Sequence, residues 1–231
     1  MNSNTRAFKR TSPDQAFPIY LILGSQNFPN QTKNQQMRSF IDCLDQAGQA
    51  GISYFQFRDK DHSQLTPSER EQLAREAQVI CRHYQIPLII DDDLDLMERI
   101  DADGIHIGQD DLSASFVRQR LDIQHILGLS AHTRDQVHAA IEAGADYVGS
   151  GPIFPTQTKV NVRPAIGLEQ WRELQSLDPS FPIFAIGGIH ENNVDQVKAR
   201  QADAICVISA ISQSTDIART VAKLKAPLTR E

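Results

Sequence analysis

Short apolar runs recur along the chain, each followed by a longer stretch whose apolar residues step by threes and fours. That alternation predicts parallel strands joined by crossover helices. Eight runs stand out, at residues 19–23, 54–57, 88–90, 104–107, 126–129, 147–149, 183–186 and 204–208. Helical spacing is clearest in Leu73, Ala77, Ile80 and Tyr84, and again in Val137, Ala140, Ile141 and Gly144. Thr66 before Pro67 with Glu69 following, and Thr133 before Arg134, Asp135 and Gln136, read as capping boxes, while Gly48 and Gly144 suit helix ends. Eight strands in about 210 residues fit a closed (β/α)8 barrel better than an open doubly wound sheet, and no G-x-G-x-x-G accompanies the first strand. The expected organisation is a short flexible N-terminal extension at residues 1–17 and one barrel domain at residues 18–231.

Composition narrows the partners. The 23 Lys and Arg stand against 29 Asp and Glu, a net charge of -6, which argues against nucleic acid or an anionic membrane. No stretch approaches the roughly 20 consecutive apolar residues of a membrane span, and the polar N-terminus lacks the apolar core of a secretory signal. Cys43, Cys81 and Cys206 are odd in number and widely separated, the usage of a reducing compartment. A cytoplasmic location is expected, and the reading allows a homo-oligomer.

In such a barrel the chemistry gathers at the C-terminal ends of the strands. The second run ends in Gln56-Phe57-Arg58-Asp59-Lys60, where period-two alternation sends Gln56, Arg58 and Lys60 to one side. The third ends in Asp91-Asp92-Asp93 and the fourth in Gly108-Gln109-Asp110-Asp111. Taken singly, each aspartate suits a cap or a turn. Clustered, Asp92 and Asp111 are the expected pair of hard oxygen ligands for one Mg2+ shared with substrate phosphates. Arg58, Lys60 and Lys159 arrive from separate loops and suit a multiply charged anion resembling a diphosphate. Gly187-Gly188 and Ile208-Ser209 stand where barrels of this kind hold a second phosphate through backbone N–H groups. His132 suits either a structural role or acid–base work, and the other histidines show no metal-ligand spacing.

These motifs together resemble one family. Tyr54 to Lys60, Ala102 to Asp111, Gly128 to Thr133, Ala145 to Lys159, Ala185 to Ile189 and Val207 to Ile211, in that order, are similar to thiamine phosphate synthases. The resemblance implies a transferase joining a pyrimidine diphosphate to a thiazole phosphate, with release of diphosphate by Mg-assisted dissociative substitution. It implies that Gln56, Phe57, Arg58, Asp59, Lys60, Asp91, Ser130 and Lys159 serve the diphosphate substrate, with Arg58, Lys60, Ser130 and Lys159 catalytic. Thr156, Gln157, Thr158, Gly188, Ile208 and Ser209 would take the thiazole phosphate, and Asp92 and Asp111 one Mg2+ per subunit. Asp91 departs from the family, which usually has Asn there; the extra carboxylate opposes the diphosphate's charge. Two rivals are a thiazole tautomerase of the same fold, with a base such as His132, and a non-catalytic sensor of a phosphorylated thiamine-pathway ligand. The tautomerase has no use for a metal pair, so Asp92 and Asp111 with Gln56, Arg58 and Lys60 favour the synthase over it, and thiamine phosphate formation separates all three.

Overall fold

The computed structural model describes residues 16–60, 62–156, 158 and 164–228. Eight parallel strands close into a barrel in chain order, with the eighth paired to the first. They are β1 (Ile19–Leu23), β2 (Tyr54–Phe57), β3 (Leu88–Asp91), β4 (Gly104–Ile107), β5 (Ile126–Ser130), β6 (Tyr147–Ser150), β7 (Ile183–Ile186) and β8 (Ile205–Val207). Each expected run is a strand. Those of β3, β5 and β6 extend one residue into the polar stretch that follows, and β8 is trimmed at both ends. The helices among the described residues are α1 (Lys33–Gln49), α2 (Pro67–His83), α3 (Leu94–Ile100), α4 (Ala114–Arg120), α5 (Arg134–Glu142), α6 (Gly167–Gln175), α7 (Val194–Lys198), α8 (Ser209–Ser212) and α9 (Ile217–Lys225).

Alternation along the strands builds two cores. Ile19, Leu21 and Leu23 of β1 join Phe40 and Leu44 of α1 in the layer between strands and helices. Each such fully buried side chain contributes about 1.5–3 kcal/mol. Tyr20 and Ile22 point the other way and meet Ile89, Ile126, Tyr147, Phe184, Ala204 and Cys206 inside the barrel. There Tyr147 stacks on Phe184 at 4.6 Å between centroids, and Tyr20 meets both rings edge-on. Space for Tyr147 comes from Gly128, where a Cβ would lie 2.2 Å from the Tyr147 ring.

Local chemistry sets the helix ends. Thr66 and Glu69 form the expected box on α2: the Thr66 hydroxyl accepts from Glu69 N–H, and the Glu69 carboxylate accepts from Thr66 N–H. At α5, Thr133 accepts from Gln136 N–H, but the Gln136 side chain reaches back to His132 N–H rather than to the cap residue itself. Gly144 ends α5 at positive φ as expected, whereas Gly48 lies inside α1. It is small because Tyr84 packs where its Cβ would be, and Gly51, at φ 85°, makes the turn that follows α1. On the face opposite the strand ends, Asp103, Asp146 and Asp203 each stand before a strand and accept from a backbone N–H of the previous one: Leu88, Leu127 and Ile183. These carboxylates staple neighbouring strands at the closed end of the barrel.

Candidate active site

The last inward residue of β2 and the loop after it open the site. Gln56 points into the barrel, and its Nε2 donates to the Tyr20 hydroxyl at 3.1 Å. Arg58 and Lys60 follow on the same side and meet the end of β3: Asp91 Oδ2 lies 3.3 Å from Arg58 Nε and 3.3 Å from Lys60 Nζ. Lys60 also pairs closely with Asp92. The loop is fixed from behind, since Arg58 N–H donates to Leu23 O and the Gln26 amide donates to Arg58 O. Phe57 and Asp59 obey the same alternation and turn away. Phe57 packs on Phe40, 5.7 Å between centroids. Asp59 is buried, with Oδ1 accepting from Ser25 N–H and hydroxyl and Oδ2 from the Ser63 hydroxyl. Neither reaches the mouth of the barrel.

The paired carboxylates do converge. Asp92, at φ 60°, anchors its N–H on His106 O, and its Oδ1 accepts from Gly108 N–H at 3.2 Å. Asp111 Oδ2 accepts from the same N–H at 2.9 Å, in a place that a Cβ on Gly108 would obstruct. Carboxylates from the ends of β3 and β4 thus share one donor. Asp93 is otherwise engaged, capping α3 through Leu96 N–H and pairing with Arg70. No group of three or more His, Cys, Asp or Glu among the described residues forms a cage for a metal. Asp92 and Asp111 fit an ion such as Mg2+, which keeps several positions for phosphate oxygens and water.

Beside this charged cluster lies a cavity lined by Gln56, His106, Ser130, His132 and Tyr147 on one side and by Thr156, Thr158, Gly188, Ile208 and Ser209 on the other. The charged residues stand further along the same strands' loops, Arg58 two positions beyond Gln56 and Asp111 five beyond His106. On the second side the hydroxyls of Thr156, Thr158 and Ser209 are linked, at 3.1 and 3.4 Å. Gly188, at φ 66°, brings its backbone so close to Pro155 that a Cβ would lie 2.7 Å from the Pro155 carbonyl oxygen. Gln157 and Lys159 lie outside the described residues.

A chain of hydrogen bonds crosses the interior beneath the cavity. From Gln56 it runs to Tyr20, then from the Tyr20 hydroxyl to that of Tyr147 at 2.8 Å, to His106 Nδ1 at 3.1 Å, and from His106 Nε2 to the Ser130 hydroxyl at 3.0 Å. Burial pushes both tyrosine hydroxyls well above their ordinary range, so they stay neutral and able to donate. Tyr20, His106 and Tyr147 were not among the residues expected from the sequence. The signal was present: they occupy inward positions of apolar strands, where a polar side chain must find partners. His132 lines the cavity too, with Nδ1 2.8 Å from Gly151 O; a carbonyl only accepts, so Nδ1 carries the proton.

Known proteins agree with this architecture. The family described as thiamine monophosphate synthase matches residues 19–211. A thiamine-phosphate synthase of Lysinibacillus sphaericus is 41% identical over 207 residues, covering 90% of this chain and 93% of that protein. One of Actinobacillus succinogenes is 42% identical, covering 89% and 94%. Among solved structures, a thiamine phosphate pyrophosphorylase from Pyrococcus furiosus superposes with a TM-score of 0.75 at 25% identity, over 90% of this chain and 93% of that one. The chain, a closed eight-stranded barrel matched over residues 19–211, belongs to the thiamine monophosphate synthase family.

Proposed function

We propose that this transferase joins two phosphorylated small molecules at one mouth. The aminopyrimidine methyl diphosphate lies with its ring toward Gln56 and Ser130 and its diphosphate toward Arg58 and Lys60. The thiazole phosphate, with or without a carboxylate on its ring, lies with its phosphate toward Gly188, Ile208, Ser209 and the Thr156 and Thr158 hydroxyls. One observation carries the reading: the cationic and acidic ends of β2, β3 and β4 adjoin a hydroxyl-lined cavity shared with the ends of β6, β7 and β8.

Asp92 and Asp111 would hold one Mg2+, which when bound supplies positive charge to the leaving diphosphate oxygens. Arg58 and Lys60, with Lys159 by the family resemblance, favour the charge that develops as the methylene C–O bond breaks and its electron pair leaves with diphosphate. The aminopyrimidine ring stabilises the carbocation that remains. The thiazole nitrogen, positioned through its phosphate, then forms the C–N bond with its own lone pair at high effective concentration, and a ring carboxylate, where present, leaves as carbon dioxide. No protein nucleophile takes part. Ser130, oriented by His106, touches the pyrimidine side.

A reducing cytoplasm suits the chain, since Cys43, Cys81 and Cys206 are buried thiols and burial pushes that of Cys43 up to about 12. No described helix is long and apolar enough to cross a membrane. The proposal is tested by incubating the purified chain with both substrates and Mg2+. Thiamine phosphate is the expected product; interconversion of thiazole tautomers without coupling overturns the reading.

A further inference from the structure

We infer that Asp91 makes this site select the metal complex of diphosphate over the metal-free anion, so that a divalent cation becomes a condition of diphosphate binding. The inference rests on the proposed function. Each described cation at the mouth already has a carboxylate partner. Asp91 Oδ2 lies 3.3 Å from both Arg58 Nε and Lys60 Nζ, and Lys60 pairs with Asp92 as well. The Asp91 and Arg58 side chains are only 8% and 14% exposed, so little water screens the contact.

Asp91 Oδ2 is buried with no hydrogen-bond partner among the described residues. It therefore holds the two cations by charge rather than by aligned donors. Among the described residues, two positive side chains, Arg58 and Lys60, thus adjoin three negative ones, Asp91, Asp92 and Asp111. A metal-free diphosphate must displace Asp91 from both cations while approaching the carboxylates of Asp91, Asp92 and Asp111. A divalent cation on Asp92 and Asp111 would offset those carboxylates and compete with Lys60 for Asp92. An amide at position 91 would keep the shape and an acceptor for Arg58 while removing the charge that opposes the free anion. Asp91 thereby acts as a specificity residue.

Isothermal titration calorimetry at constant pH tests this, with inorganic diphosphate as the probe, either in chelator or premixed with Mg2+. The intact chain is expected to bind the Mg2+ complex at least about tenfold more tightly than the metal-free anion. In Asp91→Asn the ratio of the two dissociation constants should fall by about tenfold, mostly through tighter metal-free binding. Asp91→Ala supplies the same ratio should the amide variant misfold. A structural role alone would weaken both forms together and leave the ratio in place. Equal affinity of the intact chain for both forms, or an unchanged ratio in the variants, overturns the inference alone. No binding of either form overturns it together with the proposed function.

Discussion

At the scale of the residue, five consecutive positions show how a strand end sorts side chains. Gln56, Arg58 and Lys60 face the site, while Phe57 turns to Phe40 and Asp59 to Ser25, so a motif contiguous in sequence is split by geometry. Charged groups beyond the apolar runs were legible because a solvated strand end is where an isolated charge can stand. Tyr20, His106 and Tyr147 were not, because inside an apolar run an aromatic ring reads as core until its neighbours across the barrel are known. Asp92→Ala should lower turnover by orders of magnitude with the circular dichroism spectrum unchanged, and near-normal turnover would remove the carboxylate from the site. Tyr147→Phe deletes the hydroxyl between Tyr20 and His106. Urea unfolding should register a loss of about 1–3 kcal/mol, the cost of leaving buried polar partners unmatched.

Among the elements, α2 shows a terminus that could be read in advance, because Thr66, Pro67 and Glu69 are a local code. The close of α1 could not, since Gly48 is there for Tyr84, a contact that only tertiary packing reveals. The Lys33 ammonium, reinforced by the Thr66 N–H and hydroxyl, holds the Glu69 carboxyl down at about 2 from its ordinary 4.5. A depressed carboxyl contributes stability that is present above its ordinary value and lost as pH falls through the folded one. Glu69→Gln should therefore flatten the fall in thermal midpoint between pH 4.5 and about 2, and an unaltered profile would show the pair to be fully screened. Asp203→Ala, at the foot of β8, leaves Ile183 N–H without its buried acceptor and should cost about 1–3 kcal/mol in the same unfolding measurement.

Across the whole molecule, eight strand-like runs alternating with helical stretches in about 210 residues, with no Gly-rich first turn, were enough to foresee a closed barrel. What the pattern does not encode is how the interior is filled, which depends on register: Gly128 stands beside Tyr147 only because β5 and β6 pair as they do. The two ends of the described chain meet where the barrel closes. Phe17 N–H donates to Lys225 O, Lys225 Nζ reaches Gly51 O, and β1 pairs with β8. One cooperative unit follows, so fluorescence of Trp171, the single tryptophan and fully buried on α6, should change at the same denaturant concentration as the far-ultraviolet circular dichroism. Separate transitions would mark independently folding parts. The proposed transfer breaks the bond between methylene carbon and diphosphate and spares the thiazole's phosphate ester. Phosphorus NMR of the complete reaction reads this directly: one inorganic diphosphate should appear for each thiamine phosphate formed, its ester signal retained. Orthophosphate in place of diphosphate would contradict it.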